Sequence, residues 1–151
     1  MGRRIIPWAM FFVLIAVPAL GESPKIGTVK GSKGLVSILR EGKIVPVMTY
    51  TKVYQSDTIM TGSDGAIGIM LEDNTLLAMG PMSRLSLDKF QFAPAKNEYA
   101  MQVRMEQGTL VYISGLLGKL APHAVQMETP AGTISMLKES SFMARFPEET
   151  P

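Results

Sequence analysis

Along most of this chain apolar and polar residues trade places at every second position, and turn-forming residues break the alternation at short intervals. Side chains of an extended strand point to opposite faces in turn, so the pattern predicts half-buried β-strands. The stretch 61–88 shows it most densely. Ser63-Asp64-Gly65, Glu72-Asp73-Asn74-Thr75 and Gly80-Pro81 punctuate it, and each apolar run between them suits one strand and is too short for a stable helix. Val36 and Ile38 oppose Leu35, Ser37 and Leu39, and Glu41-Gly42 offers a hairpin turn into 43–47. Ile67, Ile69 and Leu71 share a face opposite Gly68 and Met70. Leu85 and Leu87 alternate with Arg84, Ser86 and Asp88. Tyr99, Met101, Val103 and Met105 interleave with Ala100, Gln102, Arg104 and Glu106, a strand with one buried and one wet face. Gln107-Gly108 reads as a turn into 109–114, where Leu110 and Tyr112 oppose Val111 and Ile113. Further strands are expected at 124–128, 132–137 and 141–146, and 93–98 reads as a mobile loop. The expected fold is all-β: a single domain of about ten short strands, arranged as a twisted sandwich, a small barrel or a β-solenoid-like stack.

The N-terminus has a different pattern. Arg3 and Arg4 precede an almost continuous apolar run from Ile5 to Val17, Pro18 breaks it, and Ala19-Leu20-Gly21 supplies small residues. This is the form of a secretory signal peptide, so residues 1–21 are expected to be a leader helix cleaved after Gly21. The run falls short of a comfortable bilayer span, so no stable membrane span is expected after cleavage. Residues 22–146 form the expected β domain, and 147–151, with two prolines, a flexible tail. The expected location is the periplasm.

Export changes the charge balance. The chain has 15 Lys+Arg and 13 Asp+Glu, and the two leader arginines account for the excess of two. The remainder is formally neutral with its cations scattered singly, which argues against nucleic acid as a partner. The absence of cysteine excludes disulfides, thiol catalysis and thiolate metal sites. Ten of the 12 methionines lie beyond the leader, mostly at alternating strand positions, which places them in the core.

These features together resemble the FecR-like domain family, named for a periplasmic regulator of ferric citrate uptake. The resemblance spans about 26–146. It is carried by Ile26-Gly27-Thr28-Val29, the run from Gly34 to Gly42, Val53 to Ile59 with Thr61-Gly62, Asp73-Asn74-Thr75, Leu85 to Asp88, Gly108-Thr109-Leu110, and Glu128-Thr129-Pro130 with Thr133-Ile134. Within these elements Asp57 is expected to accept backbone N–H bonds at a turn. Gly62 and Gly65 are expected at positive φ. Leu85 and Leu87 should be buried with Ser86 and Asp88 wet. Family members usually continue from Thr-Ile to an Arg-Gly-Thr triplet; here Ser135 to Phe142 lacks it and is one residue longer, which Lys138-Glu139-Ser140 would absorb as a turn. Larger regulators of the family precede this domain with an anti-sigma segment and a membrane helix. The resemblance therefore implies an extracytoplasmic domain acting alone.

Candidate chemistry is sparse. His123 is the single histidine and has no companion ligands, so no metal is expected. The pairs Asp64/Glu72 and Glu72/Asp73 could be imagined as hydrolase carboxylates, and Asp73-Asn74-Thr75 as an oxygen site for calcium, but all lie at turn signals. Tyr50, Tyr54, Tyr99 and Tyr112 with Phe90 and Phe92 would either pack in strands or line a sugar groove. The expectation is a non-enzymatic module without cofactor, binding an envelope protein through strand edges, the loop 94–98 and the turn 138–140. The alternative is a domain for cell-wall glycan.

Overall fold

The computed structural model describes Gly2, residues 23–136, Lys138 and residues 141–147. The expected leader, its cleavage point and the tail beyond Pro147 lie outside these residues, as do Glu139 and Ser140. The chain enters as β1 (Lys25–Lys33), β2 (Val36–Arg40), β3 (Lys43–Pro46), β4 (Lys52–Tyr54), β5 (Thr58–Thr61) and β6 (Ala66–Leu71). It continues through β7 (Leu76–Met79), β8 (Arg84–Ala93) and the long β9 (Glu98–Ile113), then one short helix, α1 (Leu116–Leu120). Last come β10 (Val125–Thr129), β11 (Gly132–Ser135) and β12 (Ser141–Phe146).

All twelve strands form one curled, mostly antiparallel sheet, a half-barrel organised by β9. β8 pairs with the first part of β9, from Arg84 opposite Gln107 to Ala93 opposite Glu98. β7 pairs with the second part, from Leu76 opposite Ile113 to Met79 opposite Leu110. The link between them stays on the same side of β9: Gly80 N–H donates to Thr109 O at 3.1 Å, and Thr109 N–H donates to Ser83 Oγ at 2.9 Å. On the opposite side of β9, β10 runs parallel along 101–104 and β12 antiparallel along 108–113. One half of the sheet is therefore β3-β2-β5-β8-β9-β10-β11, and the other β4-β1-β6-β7-β9-β12, with β9 common to both.

The bend between the halves is built at one corner. Gly108 has φ +93, a conformation that favours glycine, and a Cβ there would run into Ser83 Oγ and Cα. Thr61 ties the corner across the sheet: its hydroxyl donates to Gly80 O at 2.7 Å and accepts Ser83 N–H at 2.8 Å. The inner face of the curl is the core. Ile26, Val29, Ile38, Val53, Ile59, Ile69, Leu77, Leu85, Leu110 and Tyr112 lie in one buried cluster drawn from both halves. Each such aliphatic side chain contributes about 1.5–3 kcal/mol when fully buried. Met79, Met101, Met105, Met127 and Met136 are in this core, whereas Met48, Met82 and Met143 are exposed.

The all-β expectation holds, with twelve strands among the described residues where about ten were expected, and most of the alternating faces are as read from sequence. Val36, Ile38, Ile67, Ile69, Leu71, Leu85, Leu87, Met101, Val103 and Met105 all point inward. Three local expectations are corrected. Gln107-Gly108 is no turn: the strand passes straight through it, because Gly108 absorbs the bend within β9. Gly62 and Gly65 do not have positive φ; they are small because Leu35 packs against them. Ser86 is buried, its hydroxyl 3.1 Å from Thr58 Oγ1, because its cross-strand neighbours Thr58 and Arg104 flank it on the outer face. The stretch 93–98 joins two strands as expected, through a 3-10 turn over Pro94–Lys96 finished by Asn97 at φ 54.

Candidate interaction site

Three places gather polar or unpaired groups. The first lies where β2 approaches the β4–β5 turn. Asp57 is 1% exposed and accepts Tyr54 N–H at 2.9 Å, as an aspartate closing a turn would. The same carboxylate holds Arg40 in a two-pronged ion pair, Nε to Oδ1 at 2.8 Å and Nη2 to Oδ2 at 2.7 Å. Arg40 also donates to Lys52 O at 3.1 Å, and its guanidinium lies 4.5 Å from the centre of the Tyr54 ring. Hydrogen bonding to Asp57 raises the Arg40 pKa further above its ordinary value. These groups border a concavity of about 250 Å3 that also includes Ser23, Glu41, Gln55 and Ser56.

The second place is the β6–β7 turn. Asp73 is completely buried: Oδ1 accepts Thr75 N–H at 3.1 Å, while Oδ2 accepts Thr75 Oγ1–H at 2.7 Å and Leu117 N–H at 3.0 Å. Its backbone carbonyl accepts Leu116 N–H at 2.8 Å, and Thr75 Oγ1 accepts Gly115 N–H at 3.2 Å. Asp73 is therefore the clasp that fixes α1 to the sheet, with its lone pairs committed to the protein. Glu72, its neighbour, faces outward to Lys25 at 3.0 Å. Tyr112 lies beside this cluster; burial pushes its phenol pKa up, Asp73 adds to the shift, and Ser114 and Thr75 oppose it.

The third place is a notch in the sheet. On the side of β9 facing away from β7 and β8, β10 covers residues up to Arg104 and β12 begins at Gly108. Residues 105–107 have no strand partner on that side among the described residues. The notch there has a volume of about 430 Å3, bordered by Arg104, Met105, Glu106 and Gln107 and by Glu128, Thr129 and Pro130. Its charges are paired: Arg104 meets Asp88 at 2.7 Å and Glu128 at 3.3 Å, and Arg84 meets Glu106 at 2.7 Å. Its side chains are paired, and no strand covers its backbone among the described residues.

The candidates named from sequence do not converge. Asp64 accepts Leu35 N–H at 3.1 Å, far in role from the buried Asp73 and the exposed Glu72. His123 is exposed in a 3-10 turn over Pro122–Ala124. Among the described residues no three His, Cys, Asp or Glu side chains gather as metal ligands. Tyr112 is buried and stacks on Phe142 at 5.2 Å, Tyr99 tilts against Phe92 at 6.0 Å, Tyr54 lies under Arg40, and Tyr50 is exposed in a loop. The loop 94–98 is exposed, and Gln91 bonds Glu98 beside it at 2.7 Å. Lys138 is exposed at a bend. Arg40 as the partner of Asp57 was not read from sequence, because the pairing crosses a hairpin and a loop. The notch was not foreseen either, since it exists only through the parallel placement of β10.

No helix among the described residues is long and apolar enough to cross a membrane. No curated protein and no solved structure matches the chain. The family described as FecR protein matches residues 57–149, beginning at the carboxylate that Arg40 clasps and running through β12. β1 to β4 precede the match, yet they complete both halves of the same sheet. With more than half of its length matched in this way, the chain belongs to the FecR family.

Proposed function

We propose that this chain is a non-catalytic interaction module of the bacterial envelope, exported by residues 1–21, cleaved after Gly21 and retained in the periplasm as the domain 22–146 with the tail 147–151. Its partner is another envelope protein, and its role lies in signalling or assembly. The family match supports the envelope setting. The observation that carries the mode of action is the uncovered stretch 105–107 of β9. A strand edge presents N–H and C=O groups at fixed spacing, so an extended segment of another protein can add to it by backbone bonding. Three residues span about 10 Å. The hairpin of β10 and β11 flanks this stretch, and all four β11 residues are exposed. The loop 94–98 and the turn at Lys138 supply further exposed contacts.

Crosslinking in intact cells, followed by identification of the captured species, tests this reading. A discrete protein adduct is expected. Adducts to abundant proteins alone, in proportion to their abundance, would count against it. A second reading, a cell-wall glycan as ligand, is favoured by the concavity where Tyr54 and Arg40 stack, since sugar rings bind aromatic faces beside polar groups. Retention on isolated peptidoglycan that disappears with Tyr54→Ala would support that reading instead.

A further inference from the structure

Strand register lays out the outer face of the half formed by β4, β1, β6, β7, β9 and β12, because paired residues share a face. One row runs Thr28, Met70, Leu76, Ile113 and Ser141, with Lys52 beside Thr28 at its end. The next runs Gly31, Gly68, Ala78, Val111 and Met143. In the third, Lys33 pairs with Ala66 at one border and Arg145 with Thr109 at the other. No acidic residue occupies any of these positions. The centre is apolar, and Met143 is 69% exposed and Ile113 42% exposed. The cations sit at the borders, joined by Lys30 at the β1 register shift, and none of Lys30, Lys33, Lys52 or Arg145 forms an ion pair among the described residues.

The outer face of the other half is the opposite. Arg104 is bound by Asp88 and Glu128, and Arg84 by Glu106, so charge is present there and internally balanced. An antiparallel sheet commonly leaves one face to water, and a wet face of that mixed kind is what the second half shows. The first half shows an apolar surface with unmatched positive charge around it.

We infer that this face docks the chain against a bilayer surface rich in anionic phospholipid, as a peripheral contact that leaves the strands outside the hydrocarbon. Border cations meet phosphate headgroups, and Met143 and Ile113 enter the boundary between headgroups and acyl chains. The charge pattern selects this occupant. The nearest acids, Glu72 and Asp64, are held by Lys25 and by Leu35 N–H, so a second copy would bring cations toward cations, which disfavours self-pairing. The contact uses the face of the sheet, whereas the partner-protein edge on β9 uses its backbone, so the two are compatible in one molecule.

The test is co-sedimentation of the exported, processed protein with vesicles of phosphatidylglycerol and phosphatidylcholine in equal parts, against vesicles of phosphatidylcholine alone. Binding to the anionic vesicles only is expected, and it should weaken as salt rises. Lys33→Glu combined with Arg145→Glu should lower partitioning by more than about tenfold, and Met143→Ser should weaken it further. Lys89→Glu, the same type of charge change on the other half, should leave partitioning within about twofold of the parent. Urea midpoints confirm that each variant is folded, and Lys33→Gln with Arg145→Gln repeats the test if charge reversal disturbs the sheet. Three results would overturn the inference: a parent protein that stays in solution with anionic vesicles, an equal loss with Lys89→Glu, or concentration-dependent dimerisation abolished by Met143→Ser without vesicle binding.

Discussion

Arg40 and Asp57 are locked together by two parallel bonds of 2.8 and 2.7 Å, and the carboxylate they fix is 1% exposed. Asp57 also closes the turn between β4 and β5, so a single side chain couples the β2–β3 hairpin to the strand that pairs with β8. Arg40→Met leaves that carboxylate buried without its cation. Stability should fall by about 2–3 kcal/mol, less than for a fully buried pair because Arg40 is itself partly exposed. Arg40→Lys should recover only part of the loss, since an ammonium cannot match the two-pronged geometry. Urea unfolding midpoints measure both.

Gly108 is the second weak point. Its φ of +93 and the absence of room beside Ser83 mean that Gly108→Ala must shift the corner where the two halves meet. A loss of about 3 kcal/mol or more is expected. Gly68→Ala is the matched control, since a Cβ there meets nothing within 4 Å, and its effect should stay within about 0.5 kcal/mol.

Asp73 offers a local test. Asp73→Ala removes the acceptor for the N–H groups of Thr75 and Leu117 and leaves buried donors unpaired, at a cost of about 2–3 kcal/mol. The loss should be concentrated at α1. Amide exchange at Leu117 should accelerate far more than exchange at Ile69 or Leu85 in the core.

The Tyr112 phenol gives a pH signature. Its folded pKa is raised above the ordinary 10.0, first by burial, so the neutral form is favoured in the folded protein. Stability from this group is complete below pH 10.0 and is lost as pH rises toward the folded value, because the unfolded chain ionises first. Tyr112→Phe should keep the stacking on Phe142 and flatten the decline of thermal midpoint above pH 10.0.

Period-two patterning was enough to read the inward faces of β2, β6, β8 and β9, because each of these strands has one wet side. It misread Gly108 as the end of a strand, since a glycine that bends a strand and one that reverses it look alike locally. It placed Ser86 in water because the cross-strand neighbours that flank it, Thr58 and Arg104, cannot be seen in alternation. Asp57 and Asp73 were legible as turn aspartates, but their distant partners, Arg40 and Leu117, were not, as those contacts depend on how hairpins return in space. The notch at 105–107 was invisible for the same reason: it is a gap left by two strands whose order along β9 is fixed only on folding.

The most direct measurement is site-specific photocrosslinking in intact cells with the reactive residue placed at Pro130, on the rim of the notch, and separately at Lys89, on β8 at the other side of β9. A partner strand seated on β9 should give one discrete protein adduct from position 130 and none of the same mass from position 89. The same adducts from both positions, or none from position 130 in cells that export the protein, would contradict the edge as the binding surface.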